Sequence, residues 1–325
     1  MKNIFYLTLN AALLFGSCRS QPEISIKIDR LEQTLFAIPI DSISAAIPRL
    51  ERQYGELFDL YCSKIINIGM PADPQFSEEL TAFLTDYHIN LAYKRVMEVY
   101  PNIKNIENGL RKAFSNYRKE FPEKTIPSVY TLISGFNESM ITADTILAIA
   151  LDKYLGRNED MYFRLNLSNY QRYTMDPKYV TTDCMKAWLY TEFQGNDSID
   201  HVLANILYEG KVMYALHQLL PATPDSVLFG YTPDQMRWCR NNIAQMWTFL
   251  VENKLLYTTD HITINKLIGP APFTSLFTRE SPGRAAVWLG YQIIASYIRN
   301  NNVSLEALLL DNDYQQILKN AKFRP

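Results

Sequence analysis

Residues 205–221 read NILYEGKVMYALHQLLP, an acid set inside a largely apolar, helix-forming run. Laid over the zinc-protease pattern H-E-x-x-H, the acid falls on Glu209, and the two histidine positions hold Tyr208 and Val212. The pattern works because residues four apart share a helix face, so two imidazoles can meet one ion beside a glutamate base. Valine has no donor atom and tyrosine is a poor substitute for imidazole. The remaining histidines do not repair the set. His201 and His217 stand ~24 Å apart on a continuous helix at 1.5 Å per residue, and His88 and His261 lie in other segments without ligand spacing. The expectation is that there are no metal ligands, no cofactor and no catalytic residue.

On a 3.6-residue wheel Ile199, Val202, Leu203, Ile206, Met213 and Leu220 share a face that includes Gly210 and His217. Glu209 flanks this face, whereas Tyr208 and Lys211 point away. A carboxylate beside a buried stripe needs a donor, so Glu209 has a partner or a ligand. The segment 281–298, SPGRAAVWLGYQIIASYI, supplies a candidate. Ser281 reads as an N-cap and Pro282 as the first helical residue. Arg284 then sits in the first turn, where a cation opposes the helix dipole, so it reaches a specific anion. Glu209 is the leading choice and Asp152 the next; a surface ion pair is the alternative. Gly210 and Gly290, mid-helix, each cost up to about 1 kcal/mol relative to alanine and mark a close crossing of the two helices.

Tyr208, Glu209, Gly210, Lys211, Val212 and Tyr214 thus read as a degenerate active-site helix, with Asp152, Arg284, Trp288 and Tyr291 as candidate groove or ion-pair residues. A hydrolase built here would use Glu209 as base, assisted by Lys211 or Tyr214, without the Lewis acid that brings bound water near a neutral pKa. Asp311-Asn312-Asp313 begins like a calcium loop but lacks the later glycine and glutamate, so it reads as a cap or turn. No G-x-S-x-G, Walker or dinucleotide motif occurs. Cys62, Cys184 and Cys239 have no C-x-x-C spacing and read as buried small hydrophobes. The 21 tyrosines serve packing or line a groove.

These elements belong to a chain of 325 residues that is 47% hydrophobic, 20% charged and of net charge −2, the composition of a globular protein. Its basic residues form no run or stripe, which argues against nucleic-acid binding. The start is distinct. Lys2, the apolar run 4–15 and the small residues before Cys18 read as a secretory signal (1–17) with lipid attachment at Cys18, followed by a tether (18–26). Helical periodicity fills 27–122, with Pro48 opening or kinking a helix. At 128–134, 139–142 and 145–151 the period shortens, giving two or three antiparallel strands at hairpin distances. An edge strand within 139–151 beside a groove could take up an extended segment. An ordered loop spans 164–177, and helices are expected at 178–193, 198–219, 232–253, 282–299 and 304–320. The fold class is α+β, mostly α: a small antiparallel sheet packed on helices in 123–325, continuous with the helical N-terminal portion.

The stretches LDKYLG (151–156), MDPKYV (175–180), YEGKVMY (208–214), GYTPDQMRW (230–238), LLYTTD (255–260), APF (271–273) and SPGR…WLGYQIIASYI follow one another in an order that resembles the gliding-motility lipoprotein family GldB. The resemblance covers about residue 127 to the end and is looser before it. It implies kinship with zincin-type metallopeptidases, hence a zincin-like core that retains the architecture without the metal. It further implies a lipid-anchored cell-envelope protein facing the periplasm, with protein partners in the motility or linked secretion machinery. The sequence RSQPE after Cys18 lacks an acidic export run and favours retention inside the envelope.

Overall fold

The computed structural model describes residues 24–196 and 198–325. The signal segment, Cys18 and most of the tether lie outside the described residues. A four-stranded sheet is held between helices. Its strands are β1 (Ile28–Arg30), β2 (Ser128–Leu132), β3 (Met140–Ala143) and β4 (Ile146–Ala150), in the order β1-β2-β4-β3.

The sheet is mixed, which corrects the antiparallel expectation. β1 and β2 pair in parallel, as do β2 and β4, and only β3 and β4 form the expected antiparallel hairpin. The segment joining β2 to β3 is long enough to pass the end of a strand. β3 therefore lies two strand spacings from β2, and the tight turn at Asp144–Thr145 folds β4 into the gap. β4 is consequently interior and buried at every position. The edge expected within 139–151 is β3 alone.

Asp152 holds this crossover in place. Its carboxylate is fully buried and accepts from the Ser134 and Phe136 amides at 3.0 and 2.7 Å. These groups flank Gly135, and both Gly135 and Phe136 have positive φ. Burial raises the Asp152 pKa, and the amide hydrogen bonds oppose the rise. Asp152 is therefore a turn-fixing residue, its carboxylate bonded to Ser134 and Phe136, whereas Arg284 pairs with Glu209.

Two cores lie on the two faces of the sheet. On one, Ile146, Ala148 and Ala150 meet α1 (Ile43–Tyr54) and α2 (Phe76–Thr85) through Ile47, Leu50, Leu80 and Leu84. On the other, Leu147 and Ile149 meet a larger core that includes α3 (Tyr87–Val99), α4 (Lys104–Glu120) and α5 (Val180–Glu192). The alternation along β4 divides its side chains between the layers, as the two-residue strand period requires. Pro48 lies inside α1. The short β1 was not foreseen; Arg30 and Thr131 bind the buried Glu32 carboxylate at 2.6 and 2.9 Å, tying that strand region together.

In the larger core α6 (Val202–Leu219) crosses α7 (Ala285–Asn300), and α8 (Leu305–Leu310) and α9 (Tyr314–Ala321) complete the chain. The expected helix 232–253 divides into Pro233–Asn241 and Ile243–Glu252, and 304–320 divides into α8 and α9. Asp313 causes the second break: its carboxylate accepts from the Gln316 amide and caps α9, so the Asp311–Asp313 stretch is a turn and cap. Helix Asn169–Tyr173 punctuates the loop expected over 164–177, and helix Asp160–Arg164 ends where that loop begins.

Lys211 departs from the wheel. It is fully buried, and its ammonium donates to the Leu309 and Asp311 carbonyls at 3.2 and 2.7 Å, capping the end of α8. The wheel misplaces it because α6 is covered on nearly all sides, so pointing away from one core face means entering another packed face. Burial pushes the Lys211 pKa down to about 8, with the Asp311 carboxylate opposing. Below pH 8 the ammonium is charged folded and unfolded, and the folded state bears the whole desolvation penalty. Between about 8 and 10.5 the folded lysine loses its proton first, so the unfolded state binds more protons and stability rises with pH. The stability of the natural protein relative to Lys211→Met is expected to climb by about 1 kcal/mol per pH unit in that window. Parallel denaturation profiles for the two proteins would contradict this.

Cys62, Cys184 and Cys239 are free and buried. Burial raises all three thiols, Cys239 to about 12. Iodoacetamide at pH 8 is expected to label none of the three in the folded protein and all of them in denaturant. Labelling of any of them faster than unfolding contradicts this packing.

Candidate functional site

The sequence of α6 is apolar around most of its circumference, which suits a helix enclosed by protein. Its N-terminus is closed by His201, whose Nδ1 accepts from the Ala204 amide at 3.1 Å, and by the Leu256 and Thr258 carbonyls, which take the Leu203 and Val202 amides. His201 is thus a cap. His261 pairs with Asp200 on the surface, His217 packs against the Tyr291 ring and His88 is exposed beside Tyr87. Each histidine has its own local surroundings, and the four do not converge.

Gly210 and Gly290 face each other where α6 crosses α7. A Cβ on Gly210 would lie 2.6 Å from the Gly290 carbonyl oxygen, and one on Gly290 would run into the Ile206 carbonyl group. This backbone contact brings α7 close enough for the residue preceding it, Arg284, to reach Glu209.

Arg284 Nη2 donates to Glu209 Oε2 at 2.7 Å, and Arg284 Nε donates to the Ile268 carbonyl at 2.8 Å. Tyr190, from α5, donates its hydroxyl to the same Glu209 oxygen at 2.7 Å. The Glu209 and Arg284 side chains are 14% and 29% exposed, so the pair lies between core and solvent. Burial works against the Arg284 charge, but the Glu209 carboxylate outweighs it and raises the guanidinium pKa. Burial and the Glu209 charge together push the Tyr190 phenol up, so it remains a donor.

The helix start differs from the one read in the sequence. α7 begins at Ala285, and Arg284 is its N-cap residue in left-handed backbone, φ 59° and ψ 27°. Ser281 instead ties the preceding loop: its hydroxyl accepts from the Thr274 amide at 3.0 Å and donates to the Thr278 carbonyl at 2.6 Å. Thr274 then takes the Ala285 amide and donates to the Pro282 carbonyl, both at 2.8 Å. Serine and proline are common to both geometries, so the sequence signal alone does not distinguish a helical turn from this loop.

The ligand positions of the H-E-x-x-H frame are occupied otherwise. Tyr208 donates to the Phe193 carbonyl at 3.0 Å, and Val212 is fully buried among apolar side chains. Tyr214 is half-buried against Tyr291. Trp288 and Tyr291 surround Phe229, with ring centroids 5.0 and 5.5 Å from it, and belong to the packing behind the groove. Among the described residues no group of three or more His, Cys, Asp or Glu is arranged to hold a metal ion.

Arg284 and Tyr190 open onto a cleft of about 740 Å³. Its aromatic walls are Tyr154, Tyr170, Tyr173, Tyr179, Phe229 and Tyr231, drawn from well-separated parts of the chain. At the rim, Asp183 accepts from the Tyr154 hydroxyl at 3.0 Å and pairs with Lys186 at 3.5 Å. Met140, the first residue of β3, also contributes to the lining. β3 is an edge strand of the sheet. The Ala150 amide donates to the Ser139 carbonyl, so in the antiparallel alternation Met140 and Thr142 turn their backbone groups outward. The wheel and the capping signals point to Glu209 and Arg284. Tyr190 and the wall tyrosines carry no sequence signal beyond the abundance of that residue.

The chain matches the sequence model of the family described as gliding motility protein GldB, over residues 17–325. It belongs to the GldB family. The match includes the N-terminal helices, where the motif resemblance was loose, so the GldB unit comprises both layers around the sheet. No curated protein and no solved structure matches the chain significantly. Among the described residues of this GldB protein no helix is long and apolar enough to cross a membrane.

Proposed function

We propose that this GldB protein is a lipid-anchored, non-catalytic interaction module of the cell envelope. It serves gliding motility or the linked secretion machinery, faces the periplasm and holds an extended polypeptide in the tyrosine-lined cleft beside β3. The observation that carries this reading is the use made of Glu209. In a zincin-type peptidase the equivalent carboxylate faces a metal-bound water. Here one oxygen of Glu209 is engaged by a guanidinium and a phenol, and the flanking ligand positions carry Tyr208 and Val212. The frame is then a peptidase-like scaffold turned to binding, with the outward backbone groups of β3 available for strand addition. Anchoring rests on Cys18 and on the lipoprotein character of the family.

A photo-crosslinking residue at Tyr170, which is 37% exposed on the cleft wall, tests the reading in intact cells. Recovery of defined envelope or secretion components is expected, and it should be lost when Gln235, which also lines the cleft, is replaced by tryptophan. If no envelope protein is retained, the reading fails. Stoichiometric zinc in purified protein would reopen the hydrolase alternative, and peptide cleavage abolished by Glu209→Gln would establish it.

A further inference from the structure

We propose that the cleft recognises a carboxylate of its polypeptide ligand, seated on Arg284. This deepens the polypeptide-binding reading and rests on it. A guanidinium carries five N–H donors in a rigid planar fork. In Arg284 one serves the Ile268 carbonyl and one serves Glu209. At least two donors remain for a ligand in the cleft that Arg284 lines. The two protein bonds fix the plane of the fork, so little side-chain freedom is lost on binding, and a carboxylate matches such a fork with paired hydrogen bonds.

The backbone around Arg284 agrees. A non-glycine residue in left-handed conformation costs roughly 1–2 kcal/mol, and glycine, already present at 283, would occupy position 284 without that cost. The side chain held there is the one that reaches the Glu209 carboxylate and the Ile268 carbonyl. Arg284 also immediately precedes the sixteen-residue α7, whose N-terminal dipole is positive. Lys153 stands on the same lining, its ammonium donating to the Phe136 carbonyl at 3.0 Å. Two carboxylates oppose an incoming anion, and both are committed: Glu209 to Arg284 and Tyr190, Asp183 to Lys186 and Tyr154. The tyrosine walls suit the chain that carries the carboxylate, since their rings cover apolar surface and their hydroxyls satisfy backbone groups. The carboxylate is either the free C-terminus of a polypeptide or an Asp or Glu side chain within it.

The test uses the full-length protein in detergent and three pools of fluorescent mixed-sequence octapeptides, read by polarisation. One pool lacks Asp and Glu and ends in a free acid, the second is the same pool amidated, and the third is amidated but contains Asp and Glu. At least tenfold tighter binding of the first or third pool than of the second is expected, and the preferred pool tells terminus from side chain. The Glu209→Gln, Arg284→Gln double variant, which replaces the ion pair by two amides, is expected to reduce that preference below threefold. Should the double variant fail to fold, Arg284→Lys, which keeps a cation beside Glu209 but loses the fork, is expected to weaken the preferred pool at least fivefold. Equal binding of all three pools, or a preference unchanged in the variant that folds, overturns the carboxylate site and leaves polypeptide binding intact. Absence of binding by every pool overturns both.

Discussion

Replacing Gly290 with alanine lowers the stability of the protein by about 3 kcal/mol or more, and replacing it with leucine prevents native folding. The expectation follows from what the added atom meets. A Cβ at position 290 would overlap the Ile206 carbonyl oxygen and lie 2.8 Å from its carbon, and one at position 210 would lie 2.7 Å from the Tyr291 nitrogen. These are backbone atoms inside helices, so neither can rotate aside as a side chain would. Overpacking costs typically 1–3 kcal/mol where side chains can yield, and the crossing of α6 with α7 leaves nothing to yield. A loss of 3 kcal/mol corresponds to a fall in Tm of about 4–5 °C for a chain of this size. Gly195→Ala is the control. Its Cβ would make only ordinary contacts, 3.6 Å from the Tyr208 ring, and a change within about 0.5 kcal/mol is expected. If Gly290→Ala melts with the natural protein, the two helices do not cross as described. The position of Arg284 over Glu209 would then lose its basis.

Arg284→Met is expected to destabilise the protein by about 2–4 kcal/mol, more than Glu209→Gln. Removing the guanidinium leaves a mostly buried carboxylate with only the Tyr190 hydroxyl to compensate it, and stranding one member of a buried pair costs about 3–5 kcal/mol. The residual exposure of both side chains lowers that figure. Glu209→Gln keeps an acceptor for Arg284 and for Tyr190, so it is the milder change. In a double-mutant cycle the two positions should couple by about 1–3 kcal/mol, measured by urea denaturation at neutral pH. Additive effects would show that the 2.7 Å contact carries no stabilising energy. The cycle also bears on function. The pair that stabilises the fold is the one proposed to present the carboxylate-binding fork, so destabilisation and loss of ligand preference should appear together in Arg284→Met.

The acid on α6, the absence of imidazoles around it, the glycine pair and the misplaced arginine are all local facts, and they are legible in the chain because each concerns one helix and its dipole, spacing or cap. From them the Glu209–Arg284 contact and the close helix crossing could be anticipated. The order of the motifs likewise carries the likeness to the GldB family within the sequence itself. What only the tertiary structure decided concerns which element covers which face. Periodicity reports that a strand is buried, not who its neighbours are, so β4 slipping between β2 and β3 and turning the sheet mixed was not readable. A wheel divides a helix into one core face and a remainder, so it sent Lys211 to solvent when a second packed layer, the end of α8, was waiting for it. Tyr190 and the walls of the cleft come from segments far apart in the chain, and no local pattern marks residues whose only common property is the place where they meet.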